Sequence, residues 1–202
     1  MQQIILLRWW TPKETYKDFY DFVEKYEINP YKEKYIKWSD TLSKDLWNNF
    51  EVLEIERINK NFADYKTRKI MFNKYLSYIQ NNSIWIWHSL WWTFFLKYLN
   101  ELEEKKRTEL FQKIKKLILV APACKDNKLE KIGSFNFDTT LKNLQKYQNK
   151  IIIFGSTDDF ICSFDEFEKI HKNIPNSKFI KFTNRNHFLQ NTFPELLDEI
   201  KN

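Results

Sequence analysis

The sequence predicts an α/β fold, a three-layer α/β/α sandwich built on a mostly parallel sheet. Three observations carry this: short β-branched apolar runs alternate with longer amphipathic ones, the helical stretches open on local start signals, and no linker or repeat interrupts the chain. Residues 4–7 (Ile4, Ile5, Leu6, Leu7) read as the first buried strand. A helix at 12–25 follows, opened by Thr11-Pro12-Lys13-Glu14, a capping box with proline at the first helical position. A strand at 52–55 precedes a helix at 64–79, and a strand at 84–86 runs into a helix at 90–103. The stripe Phe94, Phe95, Tyr98 and Leu99 gives that helix its core face. The second half adds strands at 117–120, 151–154 and 179–182 and helices at 141–147, 164–173 and 194–201. Ser163-Phe164-Asp165-Glu166 and Thr192-Phe193-Pro194-Glu195 repeat the S/T-x-x-E start signal. Parallel strands need crossover connections, and these place helices on both faces. Residues 1–202 are read as one domain.

Composition narrows the class. Apolar residues make up 43% of the 202 and charged residues 30%, as expected of a globular chain and not of a disordered one. The net charge of +6 invites a nucleic-acid or membrane reading, but 33 basic residues are interleaved with 27 acidic ones and form no block of five. Phosphate-backbone binding needs clustering on one face, so no nucleic-acid partner is expected. The apolar stretch 84–99 contains His88, Ser89 and Lys97 and is too short to span a bilayer. The first residues lack the basic region and apolar core of a signal peptide, so a cytoplasmic location and no membrane partner are expected. Cys124 and Cys162 form neither a disulfide framework nor a zinc spacing, and no metal or cofactor is expected.

The chemistry concentrates after three strands. The strand at 84–86 runs into Trp87-His88-Ser89-Leu90-Trp91-Trp92, and a helix follows at once. The fifth strand leads into Gly155-Ser156-Thr157-Asp158-Asp159-Phe160-Ile161-Cys162-Ser163, and the sixth into Asn184-Arg185-Asn186-His187-Phe188. A serine on a sharp strand-to-helix turn followed by an acidic loop and a histidine loop resembles the α/β-hydrolase superfamily. Within it, the chain is similar to the small, lid-poor serine hydrolases of the retinoblastoma-binding-protein-9 type, along its whole length.

That resemblance implies Ser89 as nucleophile, Asp159 as acid and His187 as base, with Asp158 as the rival acid. His88 and His171 are the rival histidines; His88 is expected to point away at the elbow, and His171 lies within a helix. The backbone N–H groups of Leu90 and Trp10, with Trp9 as the alternative, are where the oxyanion would be received. The first strand ends in Arg8-Trp9-Trp10, where the family carries His-Gly-Gly, and Ser163 stands where its acid loop carries proline. Phe135 and Phe137 are read either as pocket lining or as loop anchors. The expected substrate is a small ester, amide or thioester; the alternative is a catalytically dead hydrolase fold acting as a binding module.

The nucleophile turn departs from the family's G-x-S-x-G, since Trp87 and Trp91 occupy its two glycine positions. Trp9, Trp10, Trp47 and Trp92 also fall where glycine is expected, and Trp85 is a further candidate, while Trp38 matches a family tryptophan. The chain has eight tryptophans and two glycines. A one-for-one exchange at glycine positions suggests a codon effect, since UGA is glycine in some bacterial lineages and tryptophan under other tables. If the tryptophans are literal, the elbow is expected to lose its geometry, which would favour the binding module.

Overall fold

Alternation along the central strands builds two cores at once. In the computed structural model, which describes residues 1–8, 12–31, 33–105, 109–122, 132–135 and 141–202, six strands form one parallel sheet in the order β2-β1-β3-β4-β5-β6. They are β1 (Gln2–Leu7), β2 (Phe50–Glu54), β3 (Ser83–His88), β4 (Ile114–Val120), β5 (Ile151–Ser156) and β6 (Lys178–Phe182). Ile5, Leu7, Trp85, Trp87, Leu117 and Leu119 face one core; Ile4, Leu6, Ile84, Ile86, Ile118 and Val120 face the other. Residues at odd and even positions therefore go to opposite faces, and both are apolar because helices cover both.

The helices are α1 (Tyr16–Glu24), α2 (Trp38–Asp45), α3 (Tyr65–Tyr75), α4 (Trp91–Glu104), α5 (Glu109–Gln112), α6 (Phe164–Asn173) and α7 (Pro194–Lys201). Phe72 of α3 and the Phe94, Phe95, Tyr98 and Leu99 stripe of α4 fill the first core. Trp38 and Leu42 of α2 and Leu196 and Ile200 of α7 fill the second. The three-layer sandwich expected from the sequence is thus present. Register pairs Leu7 with Trp87 and His88 with Val120, which aligns the carboxyl ends of β1, β3 and β4.

Several helix boundaries differ from the sequence expectation. The first helix begins at Tyr16, capped by Thr15, whose hydroxyl accepts the Asp18 N–H while the Asp18 carboxylate accepts the Thr15 N–H. Thr11 lies outside the described residues. Ser163 is the N-cap of α6 but makes no side-chain cap bond, and Phe193, not Thr192, is the N-cap of α7. Residues 142–150 form a 3-10 helix instead of an α-helix. Leu141, Leu144 and Tyr147 recur every third residue, which suits three residues per turn. Helix α2 was not foreseen, because its only apolar pair is Trp38 and Leu42.

Gly155 is required by packing. A Cβ there would lie 2.6 Å from the Phe167 ring of α6. The glycine therefore lets α6 sit directly on β5, immediately before the acidic loop.

Candidate active site

Ser89, Asp159 and His187 each lie beyond the carboxyl end of a strand, β3, β5 and β6 in turn. Ser89 follows β3 directly and precedes α4 by one residue, with φ of 57°, a left-handed conformation that costs an L-residue about 1–2 kcal/mol. Backbone bonds fix it there: the Ser89 N–H donates to the Val120 carbonyl at 2.8 Å, and the Trp92 N–H donates to the Ser89 carbonyl at 3.0 Å. The sharp strand-to-helix turn is therefore retained with indoles at both flanking positions, contrary to the expectation for literal tryptophans. The reason is where the indoles go. Trp87 leaves the turn to pack on Phe95 (ring centroids 4.4 Å), Phe72 (5.9 Å) and Trp85 (5.7 Å) in the core beneath α3 and α4. Trp91 packs on Phe94, donates its indole N–H to the Arg8 carbonyl at 2.8 Å, and carries the buried Arg68 guanidinium over its ring. Burial, with Arg57 adding, pushes Arg68 down to about 10, against the pull of Asp64.

The acid and base loops meet beside this turn. His187 Nδ1 lies 2.9 Å and 3.1 Å from the two Asp159 carboxylate oxygens, and both side chains are fully buried. The same Asp159 Oδ1 accepts the Ile161 and Cys162 N–H groups at 2.8 and 2.9 Å. A carboxylate held by two amides and facing one imidazole nitrogen directs the proton to Nδ1. Nε2 is then the nitrogen with the lone pair.

Asp158 turns the other way. Its carboxylate accepts from the Ser156 hydroxyl and from the Asn186 N–H at 3.0 Å, and the Ser156 oxygen accepts the Arg185 N–H. Although burial pushes its carboxyl up, the Ser156 and Asn186 bonds outweigh this and hold it below the ordinary carboxylate range. Asp158 thus ties the acid loop to the base loop. Asn186 and Phe188, on either side of His187, both have positive φ, so the histidine sits on a tightly wound turn.

His88 does not point away from the site, as the sequence reading expected. Its Nε2 lies 2.9 Å from the His187 carbonyl, and the two rings stack at 5.2 Å. A carbonyl only accepts, so His88 carries its proton on Nε2. Burial first, then His187 and Lys37, keep its pKa well below the usual histidine value, so the ring is neutral. Trp38 completes this support. Its indole N–H donates to the Phe188 carbonyl at 2.8 Å, and its ring lies 5.8 Å from that of His88. His171 is remote in role, bonded to the Ser177 hydroxyl at 2.9 Å.

Leu90, which caps α4, places its N–H beside Ser89 where a helix N-terminus favours negative charge. Trp9 and Trp10 lie outside the described residues, as do Phe137 and Cys124. Phe135 is fully buried against Phe94 and Tyr65, the anchoring alternative of the two expected for it. Among the described residues, Asp159, Cys162 and His187 bring ligand atoms within 4.8 Å of one another. That spacing would suit a metal, but Nδ1 of His187 is committed to the carboxylate, and the Cys162 thiol faces the Ala121 carbonyl at 3.8 Å. The donor set fits an acid–base pair better than a metal cage. No helix among the described residues is long and apolar enough to cross a membrane.

No family model matches the chain, and no curated protein matches it. Solved structures do. The ydeN gene product of B. subtilis superposes with a TM-score of 0.72 at 14% identity, covering 100% of this chain and 97% of that one. A protein described as a YdeN-like hydrolase from Pectobacterium atrosepticum gives a TM-score of 0.58 at 13% identity, covering 98% of this chain and 88% of that one. One described as a CIB-like hydrolase from Thermoplasma acidophilum gives 0.51 at 14% identity, covering 99% and 84%. Together with the parallel sheet and its strand order, these likenesses show that the chain has the α/β-hydrolase fold.

Proposed function

We propose that the chain is a serine hydrolase, of the small retinoblastoma-binding-protein-9 type, that cleaves a small ester, amide or thioester. Ser89 Oγ attacks the carbonyl, His187 Nε2 takes its proton and returns it to the leaving group, and Asp159 holds the imidazole tautomer and stabilises its cationic form. The Leu90 N–H, with one from Trp10 or Trp9, receives the oxyanion. The observation that carries this reading is the buried Asp159–His187 pair, whose His187 carbonyl meets His88, the residue before a serine held at positive φ on a strand-to-helix turn.

A second reading, an inert hydrolase fold that serves as a binding module, is favoured by a different observation. Ser89 and His187 have no exposed surface when the elbow indoles are in place. Glycine at 87, 91 and 92 would empty that indole volume. Backbone and polar groups support such an exchange at three sites. Trp47 is largely exposed yet has φ of 55°, a conformation suited to glycine. The Trp87 and Trp92 indole N–H groups are buried without a hydrogen-bond partner among the described residues.

The test is covalent labelling by a fluorophosphonate probe of the chain with glycine at 9, 10, 47, 87, 91 and 92. Labelling that Ser89→Ala abolishes is the expected result. Equal labelling of both forms, or none of either in folded protein, overturns the hydrolase reading in favour of the module. In the source gene, UGA is expected at those six positions and UGG at 38.

A further inference from the structure

The strand order reverses between β1 and β3, and open α/β sheets bind ligands in the crevice at such a switch point. A cleft of about 200 Å³ lies there. Its wall includes Arg8 at the end of β1, Arg57 beyond β2, Lys34 and Lys37 before α2, Asp40 in the first turn of α2, and His88 at the end of β3. Among the described residues, four cations thus line it against one carboxylate.

The carboxylates nearby do not neutralise it. Arg8 pairs with Asp40 and, at 2.7 Å, with Glu54, which also lies 3.8 Å from Arg57. Asp40 is further engaged by the Lys37 N–H at 2.9 Å, which starts the helix. With Asp40 and Glu54 both counted, positive charge still exceeds negative. Burial, with Arg57 and Arg8 adding, lowers the Lys37 pKa despite the opposing pull of Asp40. Burial, with Arg8 adding, likewise lowers that of Arg57, although Glu54 and Asp40 both pull the other way. A bound anion would relieve both effects, and Arg and Lys donors would meet it with charge-assisted hydrogen bonds.

The cleft abuts the proposed catalytic residues through His88. His88 forms part of its wall, precedes Ser89 in the chain, and holds the His187 carbonyl. We infer that this cleft receives an anionic group, a carboxylate or a phosphate, of the substrate cleaved at Ser89. The link to cleavage rests on the serine-hydrolase reading; the binding of the anion does not.

Two measurements separate these claims. The first is calorimetric titration of succinate and of inorganic phosphate into the chain and into its Ser89→Ala form, at low and high ionic strength. Binding that weakens with salt, and that falls about tenfold in Lys37→Met, is expected, since a hydrogen bond to a charged group contributes about that much. The exposed Lys34→Met gives a second reading that does not depend on a buried position. The tighter of the two ligands identifies the anion class.

The second measurement compares kcat/KM for neutral activated esters with matched esters carrying a carboxylate or a phosphate on the acyl or leaving group. Preference for one charged member, with that preference reduced about tenfold by Lys37→Met, is expected. If neutral esters are cleaved but neither anion binds and no charged ester is preferred, the cleft proposal falls and the hydrolase stands. If the anions bind with the stated charge dependence but no serine is labelled, the hydrolase reading falls and the anion site stands. If Lys37→Met and Lys34→Met change only the denaturation midpoint, the cations form a structural network and the proposal is overturned.

Discussion

Replacing Asp159 by asparagine separates the two aspartates by their geometry. Asparagine keeps one carbonyl oxygen, so the Ile161 and Cys162 amides at 2.8 and 2.9 Å retain their acceptor and the loop keeps its shape. The other oxygen, 2.9 Å from His187 Nδ1, becomes an NH2 group, so a donor faces that N–H and only Oδ1, at 3.1 Å and already accepting two amides, is left to it. The imidazole escapes by moving its proton to Nε2, which under the proposed mechanism can no longer accept from Ser89. Loss of the correct tautomer costs up to about 10⁴ in turnover, or about 5 kcal/mol of transition-state stabilisation. Asp158→Asn keeps an acceptor for the Ser156 hydroxyl and the Asn186 amide, so its turnover is expected to stay within about fivefold, an effect of about 1 kcal/mol. The assay is the second-order rate of fluorophosphonate labelling, with circular dichroism to establish that both variants are folded. Equal losses in the two variants, or a larger one in Asp158→Asn, would refute this assignment of roles.

Three further outcomes follow from the same structure. His88 is kept neutral in the folded protein, so an unfolded chain binds more protons below its pKa of about 6.5; stability is full above that pH and falls as pH drops, by at most about 1.4 kcal/mol per unit from this group. Denaturant midpoints between pH 7 and pH 5 should therefore fall less steeply in His88→Gln, and an unchanged slope would rule out the linkage. Trp38→Phe removes the donor to the buried Phe188 carbonyl, so about 1–3 kcal/mol of stability and a slower labelling rate are expected; loss of stability alone would deny Trp38 a part in positioning the base loop. Trp47→Gly relieves about 1–2 kcal/mol of left-handed strain and costs about 0.5–1 kcal/mol in chain entropy, so a gain near 1 kcal/mol is expected in thermal unfolding.

Most of the sheet was legible because β-branched runs such as Ile151, Ile152 and Ile153 are apolar on both faces, as only a doubly covered strand is. The contacts between Asp159 and His187 follow from loops that the sequence placed after the right strands. What it could not supply was direction. Nothing in Asp158-Asp159 says which carboxylate turns inward; the Ser156 hydroxyl and the Asn186 amide, distant in sequence from one another, decide it. His88 was misread for a similar reason: one position before Ser89, it faces the core that holds Trp38, opposite to the Trp87 face. Helix α2 was missed although Lys37 and Asp40 have the spacing of a cap, because a lysine at the N-cap position is not a start signal.

The elbow shows what glycine does and does not do there. Ser89 keeps its left-handed backbone through bonds from its own amide and to its own carbonyl, neither of which depends on the size of residues 87 and 91. The burden of the indoles falls on the core instead. Trp85 finds the Ser83 hydroxyl at 2.7 Å and Trp91 the Arg8 carbonyl, whereas Trp87 and Trp92 bury an indole N–H without an acceptor among the described residues. Each such group forfeits about 1–3 kcal/mol. Small residues at these positions therefore serve the packing of α4 on β3 more than the turn itself. Trp91 carries a second consequence, because its bond to Arg8 ties the elbow helix to the strand end that lines the cationic cleft. Glycine at 91 would release Arg8 from that tie while leaving its ion pairs with Asp40 and Glu54 in place. The Ser89 turn and the cleft are thus linked through Trp91, which stands at a glycine position of the G-x-S-x-G turn pattern.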